Sequence, residues 1–331
     1  METFVLWNEL GRRMEGLTPA DTVVTAACEA NPWFTPASVC RAAQTLAQEL
    51  LQPDRLAAWL ACYPELPAAA PRRVAIVMAG NIPLVGFFDL LCVLAAGHRA
   101  CVKPAVKDRV LTEWVVEALR EIDPTTPAEL VGDREAAEAD ALIATGGQAA
   151  QHHFRTLGGD RPSLLRGSRQ SVAVLSGRES AAERAALADD LFAYAGLGCR
   201  NVSLIFAPQG YEVAVEVPPM PQPYRNNWRQ QRALLTLTGR PFTDLGGALL
   251  VEQQEFPAAL STVAVARYEH LTEVEAWIAA REQEIQCVAA APAVKLAAPR
   301  RVALGQTQAP GLTDYADDVD TMRFLAEIGK K

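Results

Sequence analysis

Length, composition and charge exclude several classes of protein. The chain has 331 residues, of which 50% are hydrophobic and 21% charged, so it can form a full core and is not a disordered protein. Its net charge of −8 disfavours a nucleic-acid partner. The longest apolar run, 82–97, contains Asp89 and is shorter than the roughly 18 residues of a membrane span. Because the first residues also lack the order of a signal peptide, we predict a soluble, cytoplasmic protein.

Residues 1–71 are predicted to form an N-terminal helical layer. Apolar residues recur there at helical spacing, as Leu46 and Leu50 do. Thr35 followed by Pro36 is a favoured helix start, because threonine caps free N–H groups and proline suits the first turn.

The alternation of strands and helices that starts at residue 72 predicts a parallel sheet. The run 73–78 is a short apolar strand, 84–96 is a buried helix that ends at Gly97, and 99–103 is the next strand. A strand–helix–strand unit requires parallel pairing. The pattern continues with a helix at 110–122, strands at 129–131, 141–145 and 170–175, and a short helical segment at 135–139. We therefore predict an α/β domain over 72–178.

Residues 179–331 are predicted to form a second α/β domain. A helix over 181–194 is broken by the segment 196–199, and a strand follows at 202–207. Further on we predict a loop at 217–223, a strand at 260–268, a helix at 271–280 and a polar end at 302–331.

Cys199 is the first candidate for chemistry among seven cysteines. The spacings are wide and no CxxC pair occurs, so we predict neither a zinc site nor any other metal site, nor a redox pair. The segment Gly196-Leu197-Gly198 precedes Cys199, and glycines in a turn let the backbone approach a substrate closely. Free N–H groups and Arg200 would favour the thiolate. The alternative is a small buried cysteine beside the end of a helix.

Two polar residues follow predicted strands. Asn81 lies after strand 73–78, where its amide can donate to a developing oxyanion or can cap the next helix. Lys103 closes strand 99–103, where it can reach a ribose hydroxyl or phosphate, or be merely exposed.

A glycine turn and a basic cluster complete the candidates. Thr145-Gly146-Gly147 stands between a strand and a helix, where backbone N–H groups can hold a pyrophosphate. It is not the longer glycine motif of dinucleotide sites. Arg161, Arg166 and Arg169 can bind phosphates of a cofactor or of coenzyme A, or else form a solvated face.

Taken in order, these residues resemble the aldehyde dehydrogenase superfamily, and within it the LuxC-type acyl-CoA reductases, from about residue 72 to 331. Gly80-Asn81-Ile82-Pro83 is similar to the oxyanion loop of the superfamily, Lys103-Pro104 to its ribose-binding pair, and Thr145-Gly146-Gly147 to its phosphate turn. Gly198-Cys199-Arg200-Asn201-Val202-Ser203 resembles the nucleophile motif of the reductases. The segment 305–321 resembles their C-terminal signature.

The resemblance implies an aldehyde-dehydrogenase-like fold. In it, a Rossmann-like parallel sheet over 72–178 binds a nicotinamide cofactor and 179–331 is the catalytic domain with a C-terminal tail. Cys199 is then the nucleophile and Asn81 the oxyanion donor. The implied cofactor-binding residues are Lys103, Thr145, Gly146, Gly147 and Arg166.

Two departures from the superfamily pattern refine this expectation. The stretch Leu165-Arg166-Gly167-Ser168 lacks the glutamate that activates water in hydrolytic members, which suits thioester chemistry. Val106 stands where relatives that prefer NADH often have an acid, and Lys107 and Arg109 are close in sequence, so NADPH is the favoured cofactor, with NADH as the alternative. The glutamate that binds the nicotinamide ribose is not assigned, with Glu252 and Glu255 as candidates.

The implied reaction is NAD(P)H-dependent reduction of an acyl-CoA thioester, such as a fatty acyl-CoA, to an aldehyde through an acyl-enzyme on Cys199. Two alternatives remain open from the sequence. One is reduction of another activated acyl group, such as an acyl phosphate, and the other is a non-catalytic binding protein that kept the fold. A homodimer is compatible with the resemblance.

Overall fold

The chain forms two compact units in a computed structural model that describes residues 3–330. The first unit comprises Met1–Ser168 and Gly311–Lys331, and the second comprises Arg169–Pro310. Compactness therefore divides the chain after residues 168 and 310. The functional boundaries at 71/72 and 178/179 stay predictions.

Four N-terminal helices belong to the first unit: α1 (Thr3–Glu15), α2 (Thr22–Ala30), α3 (Pro36–Leu50) and α4 (Pro53–Leu60). Helix α3 begins as predicted, because the Thr35 hydroxyl accepts from the Ser38 N–H and the Ser38 hydroxyl accepts from the Thr35 N–H. The apolar faces of these helices, with Trp7 and Leu56 fully buried, share one hydrophobic core with the sheet that follows. The helical layer therefore folds onto the sheet.

The first sheet has five parallel strands in the order β3-β2-β1-β4-β5. They are β1 (Arg73–Val77), β2 (Arg99–Lys103), β3 (Ala128–Leu130), β4 (Ala141–Thr145) and β5 (Ser163–Arg166). The connecting helices are α5 (Phe87–Ala95), α6 (Arg109–Ile122), α7 (Asp133–Ala137) and α8 (Gln148–Gly158). Central strands such as β1 are apolar on both faces because helices cover both sides of a parallel sheet.

The strand order reverses between β1 and β4, which are hydrogen-bonded neighbours. In an open parallel sheet the loops at such a switch point diverge at the carboxyl edge and leave a crevice where ligands bind. The loops after β1 and β4 contain Asn81 and Gly146, so two predicted site segments flank this position.

The second sheet has seven strands in the order β12-β11-β6-β7-β10-β9-β8. They are β6 (Gln170–Val174), β7 (Val202–Pro208), β8 (Thr243–Asp244), β9 (Leu249–Glu252), β10 (Thr262–Tyr268), β11 (Ile285–Ala290) and β12 (Arg301–Val302). The helices are α9 (Ala181–Phe192), α10 (Gln222–Leu237) and α11 (Leu271–Ala280). Only the pairing of β8 with β9 is antiparallel within the described strands. The predicted α/β fold is confirmed.

The C-terminal segment differs from the predicted polar end. It forms helix α12 (Thr321–Ile328), which belongs to the first unit. Met322 and Leu325 are fully buried because their three-residue spacing places them on one helical face. The Asp320 carboxylate caps the helix by accepting from the Arg323 N–H at 3.0 Å. Among residues 3–330, no helix combines the length and apolar character that crossing a membrane requires.

Candidate functional site

The loop that carries Asn81, residues 79–86, is held by a buried carboxyl group; we call it the Asn81 loop. Asp108, which directly precedes α6, accepts from the Leu84 N–H at 2.8 Å and is only 3% exposed. Leu84 has a left-handed φ of 56°, a conformation that costs energy for a non-glycine residue and therefore needs such support. A Cβ atom on Gly80 would lie 2.6 Å from the Cβ of Ala105, so only glycine permits this packing.

Burial also changes the acidity of this anchor. The low-dielectric surroundings raise the pKa of the Asp108 carboxyl to about 8, and the Leu84 hydrogen bond opposes the shift without cancelling it. Asp108 was not identified from the sequence, because its role depends on the tertiary contact between two connections of the sheet.

Lys103 closes β2 at the same edge of the sheet. Its ammonium donates to the carboxylate of Asp133, the first residue of α7 on the neighbouring connection. The Lys103 side chain is 24% exposed and that of Asp133 is 68% exposed, so solvent or a ligand can reach both groups. The predicted ribose lysine therefore has an acidic neighbour that sequence spacing did not reveal.

The Thr145-Gly146-Gly147 turn joins β4 to α8. The Gly146 N–H donates to the Arg166 carbonyl at 3.1 Å, which extends the pairing of Thr145 with Arg166. A Cβ atom on Gly146 would lie 2.8 Å from the Phe154 ring, so the turn can pack this closely only with glycine. Helix α8 begins directly after Gly147, and a helix N-terminus presents backbone N–H groups suited to an anion.

Arg166 is buried at the end of β5. Its Nη1 donates to both carboxylate oxygens of Asp89 at 2.7 Å, and its Nη2 donates to the Thr321 hydroxyl at 2.6 Å. The side chains of Arg166 and Asp89 are only 4% and 9% exposed. The guanidinium thus links β5, α5 and α12 within the first unit. The contact of the Arg166 guanidinium with a cofactor stays a prediction. The main-chain carbonyl of Arg166 accepts from the Gly146 N–H of the glycine turn.

The two other arginines of the predicted cluster bind backbone carbonyl groups. The Arg161 guanidinium donates to the carbonyls of Ala139 and Leu157 at 2.7 and 2.6 Å, beside the ends of α7 and α8. Arg169 donates to the Ile285 carbonyl at 3.3 Å. Cations near helix C-termini stabilise the last carbonyls.

Cys199 lies in the turn 193–201 that precedes β7, at the amino edge of the second sheet; we call it the Cys199 turn. It contains three consecutive left-handed residues, Tyr194, Ala195 and Gly196, with φ of 51°, 55° and 70°. Two of these are not glycine, so the conformation stores strain that the surrounding contacts must offset.

Asn201 supplies much of that support and is 3% exposed. Its side-chain oxygen accepts from the Gly198 N–H at 2.9 Å, and its amide donates to the Ala193 carbonyl at 2.8 Å and the Asp190 carbonyl at 3.2 Å. One side chain therefore connects both ends of the Cys199 turn and satisfies carbonyls at the end of α9. Asn201 was part of the recognised motif, but its structural role was not inferred.

Ser171 fixes the same turn from the sheet. Its hydroxyl donates to the Cys199 carbonyl at 2.9 Å and accepts from the Cys287 N–H at 3.2 Å. The backbone of Cys199 is thereby tied to β6 and β11. These contacts define the position of the residue without using its thiol.

Asp190 anchors the segment that resembles the C-terminal signature. This buried carboxylate accepts from the Gly305 N–H at 2.7 Å, the Thr307 N–H at 3.1 Å and the Thr307 hydroxyl at 2.7 Å. The signature segment therefore contacts α9 at Asp190, whose own backbone carbonyl accepts from the Asn201 amide.

Exposure separates Cys199 from most other cysteines. Cys40, Cys92, Cys101 and Cys287 are buried, whereas Cys199 is partly exposed. Burial raises the pKa of the Cys101 thiol to about 11 and raises the pKa of the Cys287 thiol as well. A thiol with a raised pKa is a poor nucleophile near neutral pH. Cys199 is thus a better nucleophile candidate than the buried thiols.

Both units have the fold of aldehyde dehydrogenases, as comparison with solved structures shows. A putative aldehyde dehydrogenase from Burkholderia cenocepacia is 13% identical, with a TM-score of 0.67 over 94% of this chain and 79% of that one. Succinic semialdehyde dehydrogenase from Streptococcus pyogenes is 8% identical, with a TM-score of 0.64 over 88% and 77%. Aldehyde dehydrogenase 21 from Physcomitrella patens is 11% identical, with a TM-score of 0.60 over 98% and 87%.

Sequence comparison gives the family. The model of the family described as acyl-CoA reductase (LuxC) matches residues 33–217, which is more than half of the chain and includes Asn81, Lys103 and Cys199. No curated protein sequence gives a significant match. The chain therefore belongs to the acyl-CoA reductase (LuxC) family and is an oxidoreductase of the aldehyde-dehydrogenase fold.

Proposed function

We propose that the protein reduces an acyl-CoA thioester to the aldehyde with a nicotinamide dinucleotide, through an acyl-enzyme on Cys199. The observation that carries this proposal is the Cys199 turn, whose partly exposed cysteine lies within the family match and is fixed by Asn201 and Ser171. A nucleophile held in one geometry reacts with less loss of entropy than a mobile one.

The first unit fits a dinucleotide in three respects. Its strand order reverses between β1 and β4, Gly80 and Gly146 allow close backbone packing, and α8 presents its N-terminus after the glycine turn. Lys103 would meet a ribose hydroxyl, and the Thr145-Gly146-Gly147 turn would meet the phosphates. When bound, the reduced nicotinamide supplies the hydride.

The chain's own residues account for the other steps. The Cys199 thiolate attacks the thioester carbonyl, and the carbon–sulfur bond to coenzyme A breaks, so that coenzyme A leaves as a thiolate and an acyl-enzyme remains. The Cys199 N–H and the Asn81 amide are the proposed oxyanion donors, each contributing about 3–4 kcal/mol to the barrier reduction. After hydride addition to the acyl carbon, the thiohemiacetal collapses to release aldehyde and regenerate the thiolate.

Steady-state assays with acyl-CoA substrates of several chain lengths test this proposal, with NADH and NADPH oxidation and aldehyde as the readouts. We expect turnover by the wild type and by Cys62→Ala, which removes an exposed cysteine, and none by Cys199→Ala. Turnover by Cys199→Ala would reject the nucleophile. Turnover with an acyl phosphate but with no acyl-CoA would replace the proposed substrate class.

A further inference from the structure

The carboxyl ends of β2 and β3 place opposite charges side by side. The Val131 N–H donates to the Val102 carbonyl at 2.9 Å, so the pairing of the two strands continues to their ends. Lys103 is the last residue of β2 and Asp133 is the first residue of α7, and the two form an ion pair. The hydrogen bond from Lys103 lowers the pKa of the Asp133 carboxyl below its ordinary value, so this group is a carboxylate at neutral pH.

The residues around Asp133 add further charges of both signs. Glu135 adds a second carboxylate, whose oxygen accepts from the Gly132 N–H at 3.1 Å. Arg134 pairs with Glu138, one helical turn later. His153 is the other titratable group that lowers the pKa of the Asp133 carboxyl.

Two cations favoured a 2′-phosphate from the sequence, Lys107 and Arg109, and the Lys107 side chain is exposed. Arg109 donates to Glu113 at 2.6 Å along its own helix. Val106, which stands at the position of the missing acid, is 88% exposed and offers no polar group. Asp133 is therefore the carboxylate that lies against Lys103, and it comes from the connection after β3 instead of the one after β2.

We infer that Asp133 determines cofactor choice by accepting a hydrogen bond from the 2′-hydroxyl of the adenosine ribose and disfavouring a 2′-phosphate, so that NADH binds more tightly than NADPH. This inference rests on the proposed function, in which Lys103 meets that ribose. A carboxylate only accepts hydrogen bonds, so a hydroxyl is a matching partner. A phosphate is also only an acceptor when ionised and carries up to two negative charges, so it is repelled.

Equilibrium binding of NADH and NADPH, without acyl substrate, tests the inference by isothermal titration calorimetry. We expect the wild type to bind NADH at least about tenfold more tightly, because one lost hydrogen bond plus repulsion exceeds about 1.4 kcal/mol. Asp133→Asn should reduce this ratio by about tenfold, chiefly by tightening NADPH binding. Glu138→Gln, a carboxylate change in the residue that follows α7, should leave the ratio unchanged.

The outcomes separate the two proposals. Tighter or equal binding of NADPH by the wild type, or an unchanged ratio in Asp133→Asn, would overturn the role of Asp133 while leaving the proposed function intact. Binding of neither cofactor by the wild type would overturn the proposed function and this inference together. The side chain of Asp133 is 68% exposed, so its replacement should not prevent folding, and circular dichroism can verify this.

Discussion

The Asn81 loop and the Cys199 turn are both held in strained backbone conformations, but by groups of different chemistry. A buried carboxyl group, Asp108, holds the Asn81 loop, and the amide of Asn201 and hydroxyl of Ser171 hold the Cys199 turn. The pKa of Asp108 is raised into the physiological range, whereas an amide and a hydroxyl keep the same protonation state there. The comparison indicates that the first unit contains a pH-sensitive anchor and that the anchor of the Cys199 turn is insensitive to pH.

The largest expected effect concerns the stability of the first unit. Arg166→Met leaves the carboxylate of Asp89 buried without its cation, which should lower the free energy of unfolding by about 3–5 kcal/mol. Urea denaturation measures this change. Arg134→Met is the matched control, because the exposed pair with Glu138 should contribute less than about 1 kcal/mol. Equal effects of the two substitutions would contradict the assigned role of the buried pair.

The second effect concerns catalysis at the Cys199 turn. Asn201→Ala removes the link between Gly198 and the end of α9, so the turn should relax and kcat should fall about 100-fold with a smaller change in KM. Stopped-flow measurement of acyl-enzyme formation would locate the loss in the acylation step. Asn226→Ala, an exposed asparagine on α10, is the control. If the variant keeps its fold and wild-type acylation, Asn201 is not a positioning residue.

Should Asn201→Ala fail to fold, Ser171→Ala provides a milder version of the test. It removes the hydrogen bonds to the Cys199 carbonyl and from the Cys287 N–H. Loss of the bond to Cys199 is equivalent to about 1 kcal/mol, or roughly a fivefold fall in acylation rate. An unchanged rate would then show that Ser171 is not a positioning residue for the Cys199 turn.

The third effect is a pH dependence that only the Asn81 loop should show. The folded-state pKa of Asp108 lies at about 8, above its ordinary value of 3.8, so the folded protein holds the proton more tightly than the unfolded chain. The stabilisation is therefore complete below pH 3.8, declines as pH rises, and is lost above pH 8. The reference variant is Asp108→Asn, whose amide oxygen still accepts from the Leu84 N–H. Relative to that variant, the free energy of unfolding of the wild type should fall by up to about 1.4 kcal/mol for each unit by which the pH rises.

Denaturation curves of both proteins between pH 5 and 9 supply this comparison. Parallel stability profiles would show that Asp108 titrates normally and would remove the proposed difference between the two anchors. The corresponding profile for Ser171→Ala should run parallel to that of the wild type, because no ionisable group is changed.

Local sequence patterns predicted the elements that depend on local chemistry. The helix start at Thr35, the strands 73–78, 99–103 and 141–145 and the helix 271–280 all have observed counterparts. Strand β11 and helix α10 were not predicted, because neither a buried six-residue run nor a polar helix has a distinctive period. Helix α12 was missed because its role depends on a core formed by distant residues.

The anchors of the candidate site could not be predicted for a related reason. Asp108, Asp133 and Asn201 each act through a contact that only the folded sheet creates. Motif order identified the segments that carry Asn81, Lys103 and Cys199, but it contained no information about their partners.

The most direct test of the proposed acyl-enzyme is intact-protein mass spectrometry after incubation with a long-chain acyl-CoA in the absence of nicotinamide cofactor. We expect a mass increase of one acyl group on the wild type and on Cys62→Ala, none on Cys199→Ala, and loss of the adduct when NADH is added. An adduct that persists on Cys199→Ala, or turnover by a wild type that never forms one, would contradict the acyl-enzyme on Cys199.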